Sequence, residues 1–251
     1  MNTVDLPKFP TRHGYMSEKI QHAYIATAIE KGLLPSYARR LPEVVSLTAP
    51  SDISKPIQFW QLYSVLGEDP IVGIVHRFYD RVFADEPWFT SVFQRVGGLG
   101  HHVATQASMW VDVMGGGPYY HGEEFRLSFH HRHNAMALMN DKGAERWVKL
   151  MRNTLDASSD LMSDDPRVRT SINTFLAYFM TKYADEHAFE DRHIFGETNG
   201  PLKRRINFMN MTTEAIEALS EQELRDALAE QGVDVSRYPD KQAMVSKALM
   251  I

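Results

Sequence analysis

The feature that most constrains this chain is the helical spacing of its apolar residues from residue 60 to about 190, which no alternating, strand-like stretch interrupts. Pro70 stands in the first turn of a helix whose Ile71, Val75, Phe78, Tyr79 and Val82 share one face. A short segment over 88–93 follows, then a helix from about 101 to 114 that must stop at Gly115-Gly116-Gly117-Pro118. Gly122 and the acidic Glu123-Glu124 favour the start of a short helix over 123–133. Two longer helices are expected near 141–159 and 165–187. The fold class this predicts is all-α.

The ends read differently. Residues 1–15, with Pro7, Pro10 and Gly14, suggest an extended arm; Ser17 can cap a helix carrying Ile20, Tyr24, Ile25, Ala28 and Ile29, stopped by Gly32. A stretch punctuated by Pro35, Pro42, Pro50 and Pro56 then leads to Phe59 and Trp60. Near the other end, Ser220 and Glu223 form a capping box ahead of Leu224, Ala227 and Leu228, and Gly232 ends that helix. An extended 233–235, a turn at Tyr238-Pro239-Asp240 and a last helix with Met244, Val245 and Leu249 complete a helix–extended–helix unit. The expected division is an N-terminal helical extension over 1–59, a helical domain over 60–195 and a C-terminal extension over 196–251.

Composition removes several classes of function. The chain has no cysteine, which excludes disulfides, thiolate nucleophiles, iron–sulfur clusters and thiolate metal ligation. A net charge of −5 offers no general attraction to nucleic acid or anionic membrane. No apolar run approaches the ~18 residues of a membrane span, and the first residues lack a secretory plan. The expectation is a cytoplasmic protein.

Six of the eleven histidines, His101, His102, His121, His130, His131 and His133, fall between 101 and 133, which suggests a metal or cofactor site. In a helix His102, Gln106, Met109 and Val113 share a face, with His101 about 100° away and more exposed. His131 and His133, two apart, cannot both enter one pocket from a regular helix. The pattern contains no paired histidines at zinc-hydrolase spacing. A porphyrin needs a flat apolar slot, one axial imidazole and a basic group for its propionates. Phe78, Phe93, Met109, Trp110, Phe125, Met136, Leu138, Trp147 and Met151 supply material for that slot, and would equally serve as ordinary core.

The order of these features resembles the truncated haemoglobin family, the two-over-two helical globins, across about residues 60–190. The resemblance begins with Leu62-Tyr63-Ser64-Val65-Leu66-Gly67 and continues with Val75-His76-Arg77-Phe78-Tyr79-Asp80-Arg81-Val82 and Ala84-Asp85. It includes Phe93, the Gly115-Gly116 break, Tyr120-His121-Gly122, and Arg132-His133 followed by Met136 and Leu138. Ala144-Glu145-Arg146-Trp147 resembles the start of the family's penultimate helix.

The resemblance implies a globin-like two-over-two sandwich that binds haem b, with His133 as the ligand to iron and His131 as its rival. Arg132 would meet a propionate, and Phe78, Phe93, Met109, Met136 and Leu138 would pack on the macrocycle. Tyr79, His102, Gln106 and the Trp147 indole would line the distal side, where dioxygen, nitric oxide or carbon monoxide binds. Nitric oxide detoxification and peroxidase-like chemistry, with a redox partner, are within the family's range. The extensions of about 59 and 60 residues are absent from the minimal plan, and point to a dimer interface or a cover for the globin surface.

Two other functions fit the residues. In one, the globin is a sensor acting through its extensions. The 212–251 unit faintly resembles SAP-type nucleic-acid modules, but Glu221, Glu223, Asp226, Glu230, Asp234 and Asp240 outnumber Arg225, Arg237, Lys241 and Lys247, and Lys203-Arg204-Arg205 is too short to compensate. That balance argues against nucleic acid. In the other, the histidine cluster holds a non-haem metal with Glu123, Glu124 or Asp112 as carboxylate partner.

Overall fold

The computed structural model describes residues 11, 14–16, 18–30, 32, 34–38, 49, 51–190, 195–199, 206, 208 and 211–251. Pro7, Pro10, the Ser17 cap, Pro42, Pro50 and Lys203-Arg204-Arg205 lie outside them, as do the side chains of Tyr24, Glu123 and Glu124. The described residues contain helices and turns and no strand. No helix among them is long and apolar enough to cross a membrane.

The chain forms two compact units, Met1–Leu202 and Lys203–Ile251. In the first, α1 (Glu18–Glu30) precedes a buried turn over Phe59–Gln61 and the short α2 (Leu62–Leu66). Then come α3 (Glu68–Phe83), α4 (Pro87–Val96), α5 (Leu99–Val111), α6 (Glu123–Phe129), α7 (Asp141–Asp156) and α8 (Pro166–His187). Local chemistry sets the starts. Pro87 and Pro166 occupy first-turn positions, where the missing N–H costs no hydrogen bond. Asn140 caps α7 by accepting from the Gly143 N–H at 3.0 Å. Two helices end in wider π-type turns, Asp112–Gly116 after α5 and His130–Asn134 after α6. Gly115 closes the first of these at φ +97°, a conformation that disfavours any residue with a Cβ.

The predicted inward face of α3 is the observed one: Ile71, Val75, Phe78, Tyr79 and Val82 are all buried, with Ile74. This helix lies against α5 and α7, and Arg146 of α7 forms an ion pair with Asp85 just beyond its end. Val168, Ile172, Phe175 and Phe179 of α8 enter the same apolar cluster, with the Trp110 and Phe175 rings edge to face at 5.1 Å. Each such side chain taken from water stabilises the fold by roughly 1.5–3 kcal/mol. Tyr15, Met16, Ile25, Ala28 and Ile57 belong to this cluster too. These described residues before position 60 therefore share the core of the first unit.

The second unit holds α9 (Thr213–Ala218), α10 (Glu221–Glu230) and α11 (Lys241–Ala248). The capping box is present, with Glu223 N–H donating to Ser220 Oγ at 3.2 Å and Ser220 N–H donating to Glu223 Oε2 at 2.7 Å. Ile216, Leu224, Leu228, Met244 and Val245 form its own small core. Two expectations need correction. Residues 235–237 form a helical turn capped by the Asp234 carboxylate, where an extended segment was expected to continue through 235, and Leu249 lies beyond α11 and is 47% exposed.

Candidate cofactor cavity

A cavity of about 300 Å³ opens among α3, α4, α5, α6, α7 and α8. Its walls include Tyr79, Phe93, His102, Gln106, Met109, Leu138 and Trp147, seven of the positions the sequence singled out. They come together because each sits on the buried side of a regular helix or in the tight turn after residue 135. His101 and His102 differ as expected, the first exposed and the second 5% exposed, although both reach the lining.

The distal candidates have defined partners. The Tyr79 hydroxyl donates to Gln106 Oε1 at 3.3 Å, and its ring stacks on the His102 imidazole at 5.3 Å. Burial pushes the Tyr79 phenol far above its ordinary range, so it remains a protonated donor. His102 Nε2 lies 2.9 Å from the Phe93 carbonyl, which can only accept, so Nε2 carries the hydrogen and the free nitrogen is Nδ1. Neutral His102 therefore offers the cavity an acceptor, and burial further disfavours its charged form. The donors left for a bound molecule are the Gln106 amide, the Trp147 indole and a reoriented Tyr79 hydroxyl.

The proximal side departs most from expectation. His130 and His131 line the cavity, whereas His133 is exposed and outside the lining. The His133 ring stacks on Phe129 with centroids 4.1 Å apart, and its Nδ1 donates to the Phe129 carbonyl at 2.9 Å. Arg132 and Met136 are likewise exposed and do not line the cavity, and Phe125, expected in the slot, is 79% exposed. Phe78 is buried one layer back, against Tyr79 and Trp147, so it supports the wall without forming it. The physical reason is the π-type turn over His130–Asn134. A turn closed by i→i+5 hydrogen bonds inserts an extra residue relative to α geometry and changes which side chains face inward.

His131 has the attributes of a ligand. Its Nδ1 donates to the Leu127 carbonyl at 2.8 Å, leaving the Nε2 lone pair free, and its ring lies 4.1 Å from that of Tyr183. Burial, aided by the nearby His130, pulls its pKa down to about 3. Burial chiefly, with His102 and Arg126 contributing, takes His130 down to about 4. Both imidazoles are thus neutral at ordinary pH, the form that binds a metal. Arg126, missed in the sequence reading, also lines the cavity; its guanidinium lies 5.0 Å from the Tyr120 ring and donates to the His121 carbonyl. Its position four before His130 was the available signal. Apolar walls, a neutral imidazole of fixed tautomer and a guanidinium suit an iron porphyrin with acidic side arms.

A non-haem metal centre finds less support. Asp112 is fully buried and accepts backbone N–H groups from Tyr15, Met16 and Tyr120, so its carboxylate is already engaged. Among the described residues no group of three His, Asp or Glu side chains is arranged to hold a metal ion. In the second unit, Arg225 and Arg237 pair with Glu221 and Asp234, which lowers the positive charge available to phosphates.

Residues 61–183 match the family model described as bacterial-like globin. The chain is similar to Two-on-two hemoglobin-3 of Arabidopsis thaliana, 29% identical over 120 residues, covering 47% of this chain and 67% of that protein. It is similar also to Group 2 truncated hemoglobin 3-1 of Lotus japonicus, 31% identical over 122 residues, covering 47% of this chain and 70% of the relative. No solved structure matches significantly.

Proposed function

Because the chain belongs to the bacterial-like, two-on-two globin family, we propose that it binds haem b in this cavity and retains a diatomic gas there, with His131 as the residue that would hold the iron. The carrying observation is that a neutral, carbonyl-anchored His131 lines the same largely apolar cavity as Tyr79, His102, Gln106 and Trp147. Haem, when bound, would supply an iron able to take up dioxygen, nitric oxide or carbon monoxide. His131 Nε2 presents the lone pair, and Leu127 holds the ring's orientation through Nδ1. Arg126 is the cation suited to a propionate.

On the opposite wall, the Gln106 amide and the Trp147 indole donate to a bound gas carrying partial negative charge, and Tyr79 orients Gln106 by hydrogen bonding to its carbonyl oxygen. Each such bond to a charged acceptor is worth roughly 1.5–3 kcal/mol. Two of them make release slow, which suits retention, nitric oxide detoxification or peroxide chemistry better than bulk transport. His102 Nδ1 is an acceptor positioned to take a proton during such chemistry.

The test is an absorption spectrum of the full chain with added hemin, ferric, ferrous and ferrous with carbon monoxide. His131→Ala is expected to lose the axially ligated spectrum and regain it with free imidazole, while His133→Ala keeps it. The reverse pattern would return the role to His133, the residue the sequence resemblance implied. A wild-type chain that takes up no hemin would end the haem reading.

A further inference from the structure

Thr11 and residues 14–16 precede the matched globin segment by many residues, yet they are built into the cavity's surroundings. Tyr15 and Met16 are 2% and 3% exposed. Tyr15 N–H donates to Asp112 Oδ2 at 3.0 Å and Met16 N–H to Asp112 Oδ1 at 3.1 Å. The same Oδ2 accepts the Tyr120 N–H at 3.0 Å. Thr11 donates its N–H and its hydroxyl to the Pro118 carbonyl, at 2.6 and 3.0 Å. At Gly14 a Cβ would stand 2.5 Å from the Pro118 Cα, so a residue without one lets the two backbones lie this close. The Tyr15 ring meets Phe179 edge to face with centroids 5.6 Å apart.

What this arm touches is the cavity's own frame. Asp112 directly follows α5, the helix that carries His102, Gln106 and Met109. Tyr120 and Phe179 both line the cavity. A fully enclosed carboxylate is tolerable only while N–H groups satisfy it, and two of its four backbone donors come from the arm, the others being Tyr119 and Tyr120. Without them the end of α5 and Tyr120 would have to shift toward water or toward another donor.

We infer that Thr11 and residues 14–16 form a layer that backs the wall of the cofactor cavity, with Asp112 and Tyr15 as positioning residues. Asp112 sets the end of α5 and the backbone of Tyr120; Tyr15 holds Phe179 against the space the cofactor fills. The inference rests on the haem reading above. It makes part of the N-terminal extension a determinant of ligand environment.

The test uses the full chain loaded with hemin, reduced and exposed to carbon monoxide. Two readouts are taken: the C–O stretching band by infrared, and the rate of hemin loss to an excess of competing apo-globin. Tyr15→Ala and Asp112→Asn are expected to shift or broaden the band and to speed hemin loss about tenfold, the change that ~1.4 kcal/mol produces. Tyr15→Phe, which keeps the ring, should match wild type in both. Variants that melt earlier yet keep the wild-type band and hemin retention would make the arm a structural appendage and overturn the inference. A wild-type chain that binds no hemin would instead overturn the haem reading, and this inference with it.

Discussion

Acid should destabilise the cofactor-free protein in a window set by its buried imidazoles. His131 is held near 3 and His130 near 4, against 6.5 in the unfolded chain. As pH falls below 6.5 the unfolded state binds those protons first, so stability is lost. Asp112 works in the opposite direction. Burial raises it to about 6 against 3.8, despite the N–H groups that pull it down. The folded state therefore takes up that proton first, and stability is gained as pH falls. Between pH 7 and pH 5 the two imidazoles together remove more stability than Asp112 adds back, a net loss on the order of 2 kcal/mol. Urea unfolding at pH 7, 6 and 5, followed by tryptophan fluorescence and far-ultraviolet dichroism, measures this directly. A double variant, His130→Gln with His131→Gln, should lose most of this acid sensitivity, leaving His102 and Asp112 to oppose one another. Wild-type stability that is flat or rising from pH 7 to pH 5 would refute the assignment of neutral, enclosed imidazoles.

Two further outcomes follow from local geometry. Tyr79→Phe removes the hydroxyl that orients Gln106, and should speed dissociation of bound dioxygen by about 2- to 10-fold, as a neutral hydrogen bond of ~0.5–1.5 kcal/mol implies; stopped-flow off-rates check this, and unchanged rates would remove the hydrogen-bonding argument. Gly115→Ala forces a Cβ onto φ +97° and should cost about 1–2 kcal/mol, whereas Gly100→Ala, helical with open space around its Cα, should gain up to about 1 kcal/mol; thermal melts of the pair separate strain from helix propensity.

Much of the cavity was legible before any coordinates. His102, Gln106 and Met109 were grouped by counting along a regular helix, Tyr79, Phe93 and Trp147 by the family resemblance, and all six line the cavity. Counting failed at 125–136, where Phe125, Arg132, His133 and Met136 face away from the cavity. At about 100° per residue a sequence specifies relative directions only while the backbone stays α-helical, and nothing in His130-His131-Arg132-His133 announces the wider turn. Arg126 was missed because its role depends on the same segment's orientation.

The sequence by itself determined the all-helical class, most of the helix starts and stops, and the apolar faces, because caps, prolines, glycines and periodicity act within a few residues of one another. The tertiary structure alone brought His130 and His131, and not His133, to the cavity and joined Tyr15 and Met16 to Asp112. Those outcomes depend on a backbone distortion after α6 and on a carboxylate meeting N–H groups 96 and 97 positions away. Contacts across that separation are settled by which buried polar groups find partners once the core has closed, and residue order does not encode them locally.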